Sequence, residues 1–324
     1  MAVYTEVSDE ELSTFMASYD LGELLSFKGI AEGVENTNYI VHATRGPFIL
    51  TLYERRVARD DLPFFLGLME HLASRGVSCP IPVRDREGRN LRELAGRAAA
   101  LVTFLEGFWI RRPTPMHCAA VGRALAEMHL GGEGFVLKRA NALGPAGWRP
   151  LYKRFANRTE EISAGLGHFI ESELDVLDAE WPTGLIEGVI HADLFPDNVF
   201  FLGNRLSGLI DFYFACTDAL AYDIAVCLNA WCFEQDASFN ITKGRAFLRG
   251  YEDVRPLTNA EREAMPMLAR GAALRFLLTR AYDWLNTPPS ALVSPKNPAE
   301  YVRRLRFHQS VRSITDYGVG ERAK

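Results

Sequence analysis

The sequence predicts an α+β chain of two lobes: an antiparallel five-stranded sheet within residues 1–106, and a mostly helical part over 107–324. Three observations predict it. Short strand-like runs crowd the first lobe. Long apolar patterns at helical spacing fill most of the second. A polar loop, "HADLFPDN", lies between two apolar segments at residues 189–201.

The elements follow in order. Ser8-Asp9-Glu10-Glu11 is a capping box, and Leu12, Phe15, Met16 and Tyr19 follow at helical spacing, with Gly22 suited to the helix end. Three strand-like runs come next, Leu24–Ala31, Thr37–Thr44 and Phe48–Glu54, joined by turn-like segments at 33–36 and 45–47. Pro63 fits a first helical turn, and Phe64, Phe65, Leu68 and Leu72 mark a helix ending at Gly76. "CPIPV" and "AAALVTFLE" read as the last two strands. Past Gly107 the spacing predicts helices over 116–130, 158–177, 218–232, 242–251, 259–285 and 300–314. "NALGPAGWRP" reads as a loop.

Composition excludes several classes. The 324 residues are 48% hydrophobic and 24% charged with net charge −5, enough chain for two real cores. A mildly acidic chain with scattered basic residues argues against a nucleic-acid partner. No apolar run approaches the roughly 20 residues of a membrane helix, and the first residues lack the pattern of a secretory signal. Five cysteines without a CxxC pair read as reduced thiols of a cytoplasmic protein. Neither an HExxH nor clustered histidines suggest zinc.

The polar loop carries chemistry. Asp193 can accept a proton from a hydroxyl, and Asn198 can offer a carbonyl oxygen to a hard cation. Asp211, in "LIDFYF", adds a carboxylate at the end of another short apolar run. Asp, four residues, Asn, then Asp on the next strand is the spacing of a phosphoryl-transfer site, with Mg²⁺ on Asn198 and Asp211 and Asp193 as base. The three are expected to converge on one divalent ion. As plain turn chemistry, Asp193 and Asp197 would be loop residues and Asn198 a cap. The preceding His191 and the flanking strands weigh against so simple a role.

"HADLFPDN" followed by "LIDFYFACTDALAYDIAVCLNAW" resembles the aminoglycoside phosphotransferase and choline kinase branch of the protein-kinase-like fold. Within it, "GVENTNYIV", "FILTLYE", "LPFFLGLMEHLASRGVSCPIPV" and "LVTFLEG" are similar to the type II homoserine kinase family, and the likeness runs from about Tyr4 to about Ile314. The resemblance implies the two-lobed protein-kinase-like fold, ATP and Mg²⁺ as cofactors, and ATP-dependent phosphorylation of L-homoserine. It implies Asp193 as catalytic base, His191 bracing the loop, Asn198 and Asp211 as Mg²⁺ ligands, and Asp223 holding the loop from below. It also implies that the backbone of Thr103, Phe104 and Leu105 receives the adenine edge. A homodimer is left open as the assembly.

The sequence departs from the kinase pattern at strand three, where Thr51 occupies the position of the phosphate-contacting Lys. Glu70 on the next helix then lacks its expected partner. Lys28 is the hypothesised substitute, with Arg55 behind it. In "GVENTNY", Gly33 allows close backbone approach, while Asn36, Thr37 and Asn38 offer donors to phosphate oxygens. A polar hairpin turn would explain the same residues.

A zwitterionic acceptor needs a cation for its carboxylate. Arg280 is the proposed clamp, from a helix that also offers Arg275 and Asp283, and Trp231 is a second acceptor-side candidate. Phe276, Leu277 and Trp284 read more simply as core, and such an Arg often makes a structural ion pair. Other readings stay open: a kinase for choline or an aminoglycoside, or a catalytically silent nucleotide-binding chain, motivated by Thr51.

Overall fold

A computed structural model describes residues 5–30, 36–54, 58–288 and 294–320. The chain forms two compact units. The first comprises Met1–Gly107 and Ser207–Tyr213, the second Phe108–Leu206 and Phe214–Lys324.

The first unit opens with α1 (Asp9–Met16). Its capping box is formed: the Ser8 hydroxyl accepts the Glu11 N–H at 3.3 Å and the Glu11 carboxylate accepts the Ser8 N–H at 3.0 Å. Among the described residues an antiparallel sheet of β1 (Leu24–Gly29), β2 (Thr37–Ala43), β3 (Gly46–Tyr53), β4 (Arg92–Leu94) and β5 (Arg97–Thr103) has the order β1-β2-β3-β5-β4. One face carries Tyr39, Val41, Leu50, Leu52, Ala99 and Leu101 into a core completed by Leu12, Phe15 and Met16 of α1. The register sets Lys28 opposite Ile40 and Asn38 opposite Thr51, so these four share the other face. Helix α2 (Leu62–Ser74) has Pro63 in its first turn, and Gly76 follows it in a left-handed conformation at φ +84°.

One strand differs from the sequence expectation. "CPIPV" is not a sheet strand; only Pro82 bridges to Val102. Pro80 and Pro82 remove alternate N–H donors, leaving Ile81 and Val83 to bond Thr103 and Leu101. The fourth strand is Arg92–Leu94, too short for period-two alternation to reveal.

The second unit contains α3 (Pro115–Gly131), α4 (Pro145–Lys153), α5 (Leu166–Glu180), β6 (Glu187–Ile190), β7 (Val199–Leu202), β9 (Cys216–Ala219), α6 (Leu220–Trp231), α7 (Ile241–Glu252), α8 (Asn259–Asn286) and α9 (Ala299–Ser310), and the first two residues of β8 (Arg205–Leu209). The unit boundary falls within β8, so Asp211 belongs to the first unit. β6 pairs antiparallel with β9, and β7 with β8 forms a separate two-stranded ribbon. Helices α3 and α7 meet backbone to backbone: a methyl group at Gly122 would lie 2.1 Å from the Phe247 carbonyl oxygen, and one at Gly250 2.2 Å from that of Ala119.

Two helical expectations need correction. Residues 158–177 are not one helix. A 3₁₀ turn at Ala156–Glu161 precedes Gly165, which takes φ +72° and restarts the chain as α5. "NALGPAGWRP" is not all loop, because Pro145 occupies the first turn of α4, where a missing N–H costs nothing.

Candidate active site

The polar loop begins where β6 ends and is shaped by α6. Asp223 is fully buried, and its carboxylate accepts the His191 N–H at 2.6 Å and the Ala192 N–H at 2.9 Å. It also lies 3.2 Å from His129 Nε2. His129 Nδ1 in turn meets the Tyr251 hydroxyl at 2.8 Å, and Arg255 donates to that hydroxyl at 3.1 Å while pairing with Glu261 at 2.7 Å. Burial by itself would raise the Asp223 carboxyl. The hydrogen bond and charge of His129, with the His191 side-chain charge and backbone N–H, outweigh it and bring the carboxyl below its ordinary value.

This support holds an unusual turn. Ala192 has φ +62°, a left-handed conformation costing a non-glycine residue about 1–2 kcal/mol. The kink carries the chain from buried His191 to Asp193, whose N–H donates to His191 Nδ1 at 3.3 Å. Leu194, next in line, is tied down through its carbonyl, which accepts the Trp231 Nε1–H at 2.7 Å. A 3₁₀ turn at Pro196–Asn198 folds the chain back, and Asn198 Nδ2 donates to the Asp193 carbonyl at 2.8 Å. The same nitrogen lies 3.4 Å from Asp193 Oδ2.

Asp193 keeps 21% of its side chain exposed. Desolvation raises its carboxyl above the ordinary value, and the charges of Arg275, then His191, only partly oppose it. A raised carboxyl is a better proton acceptor, provided it stays ionised at working pH.

The loop residues suit Mg²⁺. Asn198 commits its nitrogen to the loop, which leaves Oδ1 as a hard oxygen donor in the second unit; Asp211 carries its carboxylate in the first unit. Among the described residues no group of three or more His, Cys, Asp or Glu could form an all-protein cage. An amide oxygen and a carboxylate are each the kind of hard donor that Mg²⁺ takes. Asp211 also has a left-handed backbone, φ +63°. Tyr213, two residues on, is fastened within the first unit: its ring packs edge-on to Tyr53 and Phe65, with centroids 5.4 and 5.7 Å away.

The nucleotide-side candidates divide. Gly33 and Arg55 lie outside the described residues. Asn36 and Thr37 are buried and bonded to the end of β3: Asn36 Oδ1 accepts the Glu54 N–H at 3.3 Å, and the Thr37 hydroxyl donates to Glu54 at 2.9 Å. Thr51 is 2% exposed and donates to Asn38 Oδ1 at 2.8 Å, so a cross-strand hydrogen bond stands where the Lys was expected. Glu70 finds another cation, Arg84, at 2.7 Å. Lys28 is exposed on the same sheet face as Asn38 and Thr51. In the connector, Thr103 spends its N–H on Ile81, at 2.9 Å, while Phe104 is 37% exposed.

Both acceptor-side candidates have partners within the chain. Arg280 pairs with Glu300 at 2.7 Å and stacks on Tyr301, 4.5 Å from the ring centroid. Trp231 is 1% exposed, and its Nε1–H donates to the Leu194 carbonyl of the loop. Sequence reasoning missed His129, and it placed Arg275 only among acceptor residues. The available signal was a charged or titratable side chain inside an apolar helical run, "AEMHL" and "ALRFLL".

Comparison with known proteins adds to this geometry. The phosphotransferase enzyme family matches residues 26–257. A homoserine kinase of Bradyrhizobium diazoefficiens is 65% identical over 320 residues, 98% of each chain. One from Xanthobacter autotrophicus is 64% identical, covering 98% of this chain and 99% of its own. Among solved structures, an amicoumacin kinase in complex with AMP-PNP and Ca²⁺ superposes with a TM-score of 0.67 at 16% identity, covering 96% of this chain and 94% of its own. A choline kinase from Cryptosporidium parvum gives 0.67 at 14%, covering 93% and 94%. At those identities the likeness establishes the fold, which is the protein-kinase-like one.

Proposed function

The chain belongs to the phosphotransferase enzyme family and, within it, to the homoserine kinases, and on that premise we propose that it transfers the γ-phosphoryl group of ATP to the hydroxyl of L-homoserine. The product is O-phospho-L-homoserine, a precursor of threonine. The observation that carries this reading is 65% identity along 98% of both chains. The loop chemistry supports it: Asp193 is partly exposed, oriented by His191, and braced from below by Asp223.

In the proposed reaction the homoserine hydroxyl oxygen attacks the γ-phosphorus in line. A new P–O bond forms as the bond to the ADP oxygen breaks, and the hydroxyl proton passes to an Asp193 carboxylate oxygen. Asn198 and Asp211 are the residues that would hold Mg²⁺, which when bound neutralises phosphate charge. Lys28 supplies the cation that Thr51 does not, and Phe104 with Leu105 offers backbone groups to adenine. Residues 1–106 serve as the nucleotide lobe and 107–324 as the acceptor lobe. A cytoplasmic reaction is part of this proposal. Among the described residues no helix is long and apolar enough to cross a membrane. A homodimer remains an assembly to be read from the molar mass by light scattering.

The test is ADP release measured with L-homoserine, choline and an aminoglycoside as acceptors. Homoserine-dependent turnover at least a hundredfold above the others is expected. Preference for another acceptor, or no acceptor-dependent turnover at all, would overturn the proposal.

A further inference from the structure

Arg275 is 2% exposed in the middle of α8, within the otherwise apolar run Leu274–Leu278. A buried guanidinium needs partners, because taking its charge out of water is costly. Two are on the catalytic loop. Nη1 donates to the Ala192 carbonyl oxygen, and Nη2 lies 3.9 Å from Asp193 Oδ1. The guanidinium also stacks on Phe276, 4.3 Å from its centroid, and lies 5.6 Å from the Phe214 centroid. Its Nε is buried without a hydrogen-bond partner among the described residues. This side chain is therefore not satisfied by a structural ion pair of its own. Arg270, one turn earlier, donates both Nε and Nη2 to Glu173, at 2.7 and 2.8 Å.

The contacts on Ala192 are opposed in sign. The Asp223 carboxylate takes the N–H of this residue, and the Arg275 guanidinium takes its C=O. An anion below and a cation beyond thus grip the one residue of the loop whose backbone is left-handed. Released from either side, Ala192 would relax toward an ordinary conformation, because its Cβ crowds the carbonyl oxygen in the left-handed one. The next residue is the base, so that rotation would re-aim Asp193. The Asp193 carboxylate itself stands between the Arg275 guanidinium on the Oδ1 side and the Asn198 amide, 3.4 Å away, on the Oδ2 side.

We propose that Arg275 is a positioning residue for phosphoryl transfer: it locks the left-handed turn at Ala192 and fixes the direction in which Asp193 meets the acceptor hydroxyl. The inference rests on the homoserine kinase reading above, with Asp193 as base. A base misplaced by about 1 Å costs roughly a hundredfold in rate. Substrate binding is not the quantity at stake, since Arg275 is only 2% exposed.

The test compares Arg275→Met and Arg275→Lys with the wild-type chain, reading kcat, both KM values and the thermal midpoint. For Arg275→Met, kcat falls on the order of a hundredfold while KM for ATP and for homoserine stays within about threefold. Arg275→Lys cannot reach Ala192 and Asp193 with one ammonium, so it recovers only part of the loss. In an Asp193→Asn background, Arg275→Met adds little further loss, because the base it positions is already gone.

A raised KM at unchanged kcat, a kcat loss that merely follows the folded fraction, or full additivity with Asp193→Asn would overturn the proposal. Failure of both variants to fold would overturn it too, by assigning the guanidinium to stability alone. Absence of homoserine turnover in the wild-type chain is the separate failure of the underlying reading.

Discussion

Asp223→Asn is the sharpest probe of how the loop is built. The carboxylate serves three neighbours: Oδ2 faces the His191 N–H at 2.6 Å and His129 Nε2 at 3.2 Å, and Oδ1 faces the Ala192 N–H at 2.9 Å. An amide of the same shape has one acceptor oxygen. In its better orientation that oxygen keeps the His191 and His129 contacts and turns an NH₂ group toward the Ala192 N–H. One charge-assisted bond, about 1.5–3 kcal/mol, is lost, and a buried donor is left unsatisfied at about 1–3 kcal/mol. The expected destabilisation is about 2.5–6 kcal/mol, a large part of the roughly 5–15 kcal/mol typical of a folded domain.

Asp193 would also lose its fixed bearing, because nothing below Ala192 then holds the left-handed turn. Urea unfolding at neutral pH, followed by fluorescence, measures the first effect, and kcat for homoserine measures the second. A drop of about a hundredfold in kcat is expected with the chain still folded. The pH dependence has a definite sign. The fold keeps the Asp223 carboxyl below its ordinary value, so its stabilisation is complete above about pH 4 and lost as pH falls further. The variant should lack that component of acid unfolding. A destabilisation under about 1 kcal/mol together with kcat within about twofold of wild type would refute the reasoning.

Two further perturbations follow. His308 is fully buried between the Tyr317 hydroxyl at 2.8 Å and Asn229 Oδ1 at 3.2 Å, and burial, with Arg304 and Arg270 nearby, holds its imidazole down to about 3. Below the unfolded value of about 6.5 only the unfolded chain takes the proton, so the wild-type fold loses about 1.4 kcal/mol per pH unit there. The excess stability of wild type over His308→Gln should therefore shrink by about 2 kcal/mol between pH 7 and 5; a pH-independent difference in urea unfolding would contradict this. Lys28→Met should raise KM for ATP about tenfold, an effect of about 1.4 kcal/mol, without shifting the thermal midpoint. An unchanged KM would remove Lys28 from the phosphate site.

Much of this molecule could be read from its chain because local chemistry and tertiary role coincide. Ser8 caps α1 as its capping box requires, and the apolar period of the 28-residue α8 repeats over enough turns to identify the helix without its cap. The Asp193–Asn198 pair was legible because the two lie only five positions apart, and one 3₁₀ turn brings them back to each other. Readings failed where a remote partner decided the outcome. Pro80 and Pro82 made a strand-like run a poor strand, and the three residues of β4 took its place beside β5. Nothing local announces that Arg280 pairs with Glu300, 20 positions away. Trp231 and Arg275 reach the loop across 37 and 83 residues, separations at which periodicity carries no information.

The most direct measurement is product formation by wild type and Asp193→Asn, followed by phosphorus NMR with ATP, Mg²⁺ and L-homoserine. Wild type should yield O-phospho-L-homoserine in step with ADP. Asp193→Asn should melt at the wild-type temperature and turn over at least about a thousandfold more slowly. Robust turnover by that variant, or a wild-type chain that leaves homoserine unphosphorylated, would contradict the account.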